Sequence, residues 1–129
     1  MKSYPLLAAA LLVSTPTLAA EEARFDLICT PTKAVMMMDG ESKVLDITEG
    51  ERFSIDLASK LWCARRPDRS CGSTIPLVAT ASELRLKDMI RVDRRSGILT
   101  MAGGIGPMTS LREYACTKAA FTPLPKLKF

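Results

Sequence analysis

The chain has 129 residues, with 18 Lys and Arg against 14 Asp and Glu, a formal net charge of +4. That excess is too thin to name a nucleic acid as partner, because phosphate binding needs concentrated positive charge. No histidine occurs anywhere, which removes the usual general base, the usual zinc ligand and any Ser-His-Asp triad.

The amino end reads as an export signal. Lys2 supplies a positive start, residues 6–13 (LLAAALLV) form an apolar run, and Thr17 and Ala19 put small residues at −3 and −1 of a cleavage site. That run is far short of the roughly twenty residues a hydrocarbon core demands, and no later run approaches that length, so no membrane-spanning helix is expected. The expected organisation is a signal peptide over residues 1–19, a β domain over 20–120 and an extended C-terminal arm over 121–129. Such a protein is expected in the periplasm.

Beyond the leader, short stretches of period-two alternation recur between turn residues, the pattern of strands. Phe25, Leu27 and Cys29 alternate with Asp26 and Ile28. Val35-Met36-Met37-Met38 runs into Asp39-Gly40, a dipeptide suited to a tight hairpin that needs positive φ. A return strand is expected over residues 43–48, and Glu49-Gly50 makes the next turn. Residues 52–57 are the clearest strand: Phe53, Ile55 and Leu57 point one way, Ser54 and Asp56 the other. Phe25, Leu27, Phe53, Ile55 and Leu57 are the expected core. The best helical stretch, residues 57–62, amounts to one turn.

The second half continues in the same style. Residues 75–79 are apolar, and Leu84/Leu86 and Ile90/Val92 alternate with charged neighbours. Arg94-Arg95-Ser96-Gly97 reads as a hairpin tip, and Gly103-Gly104-Ile105-Gly106-Pro107 as a loop before a closing strand over residues 111–118. Pro123 and Pro125 lack backbone donors, so the tail should lie along the body as an extended arm. The expected fold is all-β: a single-domain antiparallel meander of about eight or nine short strands, closed as a barrel or folded as a sandwich.

Four cysteines in a small exported chain imply two disulfides, with three pairings open. Cys63 and Cys71 enclose the segment ARRPDRS and suit a staple across a loop. Cys29 and Cys116 would then join the first and last strands. A zinc site made of all four thiolates would lack any C-x2-C pair.

Several short motifs together carry a resemblance: Phe25-x-Leu27-x-Cys29-Thr30, Ile55-Asp56-Leu57 with Trp62-Cys63 and Cys71, Asp93-Arg94-x-x-Gly97, and the terminal Lys128-Phe129. In these the chain resembles a group of small, exported, uncharacterised proteins of Gram-negative bacteria. The resemblance covers most of the mature chain and implies no established activity, so no functional residue follows from it. Pro31 stands where members of the group often carry glycine.

Among candidate sites, Met36, Met37 and Met38 offer thioether sulfurs to a soft metal such as Cu(I), and Trp62 is a conceivable cap. A strand, however, splits the three between two faces, and methionine also fills core gaps. No metal and no cofactor is expected. Arg65, Arg66 and Arg69 crowd the stapled loop, and Arg94 and Arg95 the hairpin tip. If both tips share one end of the barrel, five guanidiniums form an anion-attracting rim. An acidic protein, an acidic glycan or a lipid head group would suit it.

Catalytic signals are thin. No serine has lysine three residues on, and the glycines near 104 do not follow the G-x-G-x-x-G order. Disulfide-bonded cysteines make poor nucleophiles. Asp46, Asp56 and Glu113 lie on expected strands with outward-facing alternation, leaving a carboxylate-based hydrolase as a distant third reading. The terminal Phe129 sits in register with Leu127 and Phe121 like the end of an outer-membrane barrel strand, but Pro123 and Pro125 interrupt that ladder.

The favoured reading is a non-catalytic binding or inhibitory module of the cell envelope. Small disulfide-bearing β-barrel proteins that block lysozyme are broadly similar in size and compartment. Their Ser-Gly-x-x-Tyr loop is not intact here, since Ser96-Gly97 is followed by Thr100 where the tyrosine would fall. The alternative is an accessory structural component that holds an envelope assembly through its apolar tail.

Overall fold

A computed structural model describes residues 23–125; the expected signal peptide and residues 126–129 of the arm lie outside them. Ten strands follow one another: β1 (Arg24–Met38), β2 (Glu41–Val44), β3 (Glu51–Asp56), β4 (Leu61–Arg65), β5 (Ile75–Pro76), β6 (Val78–Ala79), β7 (Glu83–Lys87), β8 (Ile90–Asp93), β9 (Ile98–Ile105) and β10 (Met108–Ala119). All pair antiparallel, in the order β5-β4-β3-β1-β10-β9-β8-β7-β6, with β2 on β1 off that path. The two ends of the path, β5 and β6, are parted in sequence by Leu77 alone. One extended segment therefore joins both edges of the sheet, and the result is a nearly closed β-barrel. Leu77 is buried at the seam and donates its N–H to the Lys60 carbonyl at 3.0 Å.

Phe25, Leu27 and Cys29 of β1 face inward with Phe53 and Ile55 of β3, as their alternation requires. Leu57 is only half-buried, because the chain leaves β3 at Asp56 and turns through residues 57–60. Trp62 packs edge-on to Phe53 at 5.9 Å. Its indole N–H donates to the Leu86 carbonyl at 2.6 Å, so the one polar atom of the largest core ring is satisfied across the barrel. That position also removes Trp62 from the methionines. The pairing register puts Met36 and Met38 on one face of β1 and Met37 on the other.

Both expected disulfides are present, Cys29–Cys116 and Cys63–Cys71. The first ties residues 87 apart in sequence, and closing so long a loop contributes about 4–5 kcal/mol in the chain-entropy model. Cys29 and Cys116 are direct partners in the β1–β10 ladder, so first and last strands are joined as the sequence implies.

Three expectations need correction. β1 is one strand through Pro31, not two: the register shifts between Pro31 and Lys33, where Thr32 is the extra residue and donates its hydroxyl to the Glu113 carbonyl. Proline has no N–H for the ladder, and a bulge absorbs that gap. The return strand ends at Val44, short of Thr48. The glycine-rich stretch is strand rather than loop, because β9 continues to Ile105 and only Gly106-Pro107 turns. A Cβ at Gly104 would lie 2.9 Å from the Met108 carbonyl oxygen, so glycine lets β10 approach there. Asp39-Gly40 and residues 94–97 are hairpin turns as expected, with positive φ at Asp39, Gly40 and Gly97.

Candidate functional site

The five candidate arginines occupy two loops. Arg65 ends β4 and leads into the stapled loop, while Arg94 and Arg95 follow β8. Between β4 and β8 the sheet takes five antiparallel steps, through β3, β1, β10 and β9. The two strands therefore run in opposite directions, and the loops that follow them leave opposite ends of the barrel. The single rim expected of the five guanidiniums is not formed.

Arg65 is not a free surface charge either. Its side chain lies along the outer wall, where Nε donates to Ser54 Oγ at 2.8 Å and NH1 to the Arg69 carbonyl at 3.1 Å. NH2 donates to the carbonyls of Thr122 and Pro123, both at 2.9 Å. Four of its five N–H donors hold the loop and the arm together.

Beside it lies the most buried acid of the fold. Asp26 faces outward on β1, yet the arm covers it completely and it is 0% exposed. Thr122 donates its backbone N–H to Oδ1 at 3.0 Å and its hydroxyl to Oδ2 at 2.6 Å. Arg52 completes the set, with Nε and NH2 each 2.9 Å from Oδ2. Burial alone would raise the pKa of Asp26, but hydrogen bonds from Thr122, Ser54 and Arg52 outweigh it and hold the carboxyl below its ordinary range. The described part of the arm is thus latched to the body through Asp26 and Arg65. The available signal was Thr122, a hydroxyl just ahead of two prolines in a donor-poor tail, but nothing in sequence ties it to Asp26.

With Arg65 engaged, Arg66 and Arg69 remain exposed on the stapled loop, and neither forms an ion pair among the described residues. The loop is stitched internally. Arg66 N–H bonds the Ser70 carbonyl at 3.0 Å, Arg69 N–H bonds the Arg66 carbonyl at 2.7 Å, and Asp68 Oδ1 accepts from the Ser70 N–H and hydroxyl. Arg69 holds a φ of 65°. Between this loop and residues 48–51 opens a groove of about 720 Å³, lined by Arg66, Pro67 and Arg69 of the loop, by Glu49 and Glu51 facing it, and by Ile28 of β1.

At the opposite end, Arg94 donates to the Thr80 carbonyl at 2.6 Å and Arg95 projects from the hairpin. Asp93 caps that hairpin by accepting the N–H groups of Arg95 and Ser96 at 2.8 and 3.0 Å. Lys118, unremarked in the sequence, sits in the barrel mouth with Nζ 4.6 Å from the Phe25 ring centroid. Its signal was the alternation of Tyr114, Cys116 and Lys118 along β10, which sends all three inward.

Of the carboxylates weighed for hydrolysis, Asp46 lies past the end of β2 and is exposed, while Asp56 and Glu113 stand far apart. Asp56 faces Arg24 at 3.4 Å and accepts the Ser59 N–H, so its outward alternation does not leave it on open surface. Glu113 pairs with Lys33, nine residues along β1 from Arg24, on the order of 30 Å. No group of three or more His, Cys, Asp or Glu is placed to hold a metal among the described residues, and none of their helices is long and apolar enough to cross a membrane. Comparison with protein-family models, curated proteins and solved structures finds no match.

Proposed function

We propose that the protein is a non-catalytic binding module of the cell envelope, exported to the periplasm, whose stapled loop docks an acidic protein surface. The observation that carries the reading is the pair Arg66 and Arg69: exposed, in no ion pair among the described residues, outnumbering the one loop acid, Asp68, and mounted on a disulfide-closed, internally bonded loop beside a groove. Holding the loop in shape lowers the ordering cost of association. Exposed guanidiniums steer an acidic partner and fix its register more than they add affinity. Glu49 and Glu51 on the facing wall disfavour a uniformly anionic polymer and favour a partner that carries acid on one side only.

The alternative, an accessory component anchored by its tail, draws less support, since Phe121 and Leu124 are half-buried and Thr122 is latched to Asp26. Affinity capture from envelope extract with the wild type and with Arg66→Ala/Arg69→Ala tests the proposal. A protein retained by the wild type, lost with the double variant and weakened by salt supports it. Equal retention by a folded double variant refutes it. Arg65 is excluded from this test, because its loss would loosen the arm.

A further inference from the structure

We infer that the mouth of the barrel at the 93–98 hairpin is a second binding site, for a small amphiphile with one anionic head and one apolar tail. The site is independent of the stapled loop, which lies at the other end. A cavity of about 320 Å³ opens there. Its floor is Phe25, Leu27, Leu84 and Val92, contributed by β1, β7 and β8, all buried members of the core. Its rim carries Arg94, Arg95 and Lys118.

The rim charge is available to a ligand. None of these three cations forms an ion pair among the described residues. The one acid of the lining, Asp93, turns Oδ1 into the hairpin, where two backbone N–H groups occupy it; its charge attracts Arg95, and three cations against one carboxylate leave the mouth net positive. Lys118 is held over the aromatic floor by cation–π contact with Phe25, so its ammonium stands where tail and head of a ligand would meet. The wall is preformed. Gly97 N–H bonds the Asp93 carbonyl at 2.9 Å, Cys116 N–H bonds the Gly97 carbonyl at 2.8 Å, and the Arg94 guanidinium is anchored on Thr80.

Those features select the ligand class. Inorganic anions would leave the apolar floor unused, and a neutral alkyl chain would leave three cations unmatched. The volume is near the lower end of the range for ligand pockets, about 300–1,000 Å³, which suits a single short chain and not a two-tailed lipid. A short-chain carboxylate or alkyl phosphate shares the required chemistry.

The test is an amide-shift titration of the exported protein with decanoate, decyl phosphate, decanol and inorganic phosphate. Saturable shifts at Phe25, Val92, Gly97 and Lys118 with decanoate, decyl phosphate or both support the site. Preference between the two identifies the head group. Lys118→Met, which keeps an apolar stem over Phe25, and Arg95→Gln, on the exposed tip, should together weaken binding about tenfold, as expected for two partly exposed charge contacts. Each is also read singly, so that failure of one variant to fold leaves the other to decide. The inference is overturned if the amphiphiles give no saturable shifts, if decanol or phosphate binds as tightly as they do, or if the folded variants bind as the wild type does.

Discussion

The two arginine-bearing loops look alike in sequence and handle their charge in opposite ways. At the stapled loop, Arg65 turns along the barrel wall to hold the arm, next to an aspartate that no water reaches. At the 93–98 hairpin, Asp93 gathers backbone donors in the open and leaves the arginines facing outward. Both aspartates are held below their ordinary pKa range by hydrogen bonds. Water can replace the donors of Asp93 and cannot replace those of Asp26. Burial, not donor count, decides which carboxylate carries the fold.

The sharpest way to break that comparison is to delete the buried acid. Asp26→Ala leaves Arg52 and Thr122 without their partner, and should cost about 3 kcal/mol, the low end for breaking a buried pair because Arg52 is 26% exposed. Denaturant melts would measure it, with Ile55→Ala as a scale. Ile55 is 0% exposed, and its truncation should cost about 2–5 kcal/mol. A loss below about 0.5 kcal/mol for Asp26→Ala would place it among surface positions.

Acid sharpens the same contrast. The folded pKa of Asp26 lies below its ordinary value of 3.8. Its stabilising contribution is therefore complete above that value, and is lost as the pH falls through the folded pKa. Stability of the wild type should decline on acidification below about pH 4 more steeply than that of Asp26→Asn, which has no such proton to take up. Parallel acid profiles would show that the latch is not ionic. A smaller loss is expected from Thr122→Val, which removes the hydroxyl on Oδ2 and keeps the backbone N–H. The cost should be about 1.5 kcal/mol, the low end for a hydrogen bond to a charged group. Faster proteolysis after residue 119 should accompany it, and an unchanged cleavage rate would mean that other contacts hold the arm.

These contrasts mark what was legible in the sequence. Alternation exposed Phe53 and Ile55 as core, and the turn chemistry of Asp39-Gly40 and of residues 94–97 was local enough to read. The disulfide pairing followed from loop length and strand order. Whether the two arginine tips share an end depended on the parity of five strand steps, a global property that no local motif carries. The roles of Asp26 and Arg65 were hidden for a related reason. Period-two alternation sends both outward, as it should, but it is silent on an arm from the far end of the chain that covers that outer wall. Glycines 103 and 104 misled in the other direction, since close strand approach and a loop ask for the same residue.

The smallest effect belongs to the open carboxylate. Asp93→Ala removes the cap on the Arg95 and Ser96 amides, and water takes its place at once, because both residues are exposed. The remaining hairpin bonds, from Gly97 N–H to the Asp93 carbonyl and from Cys116 N–H to the Gly97 carbonyl, use backbone atoms that alanine retains. The midpoint of global unfolding should therefore stay close to that of the wild type. Amide exchange at Arg95 and Ser96 should accelerate, while Leu99 and Tyr114, buried in β9 and β10, keep their protection. If instead Asp93→Ala unfolded the protein as readily as Asp26→Ala, the hairpin would be part of the closure of the barrel. Burial would then have failed as the criterion that separates the two loops.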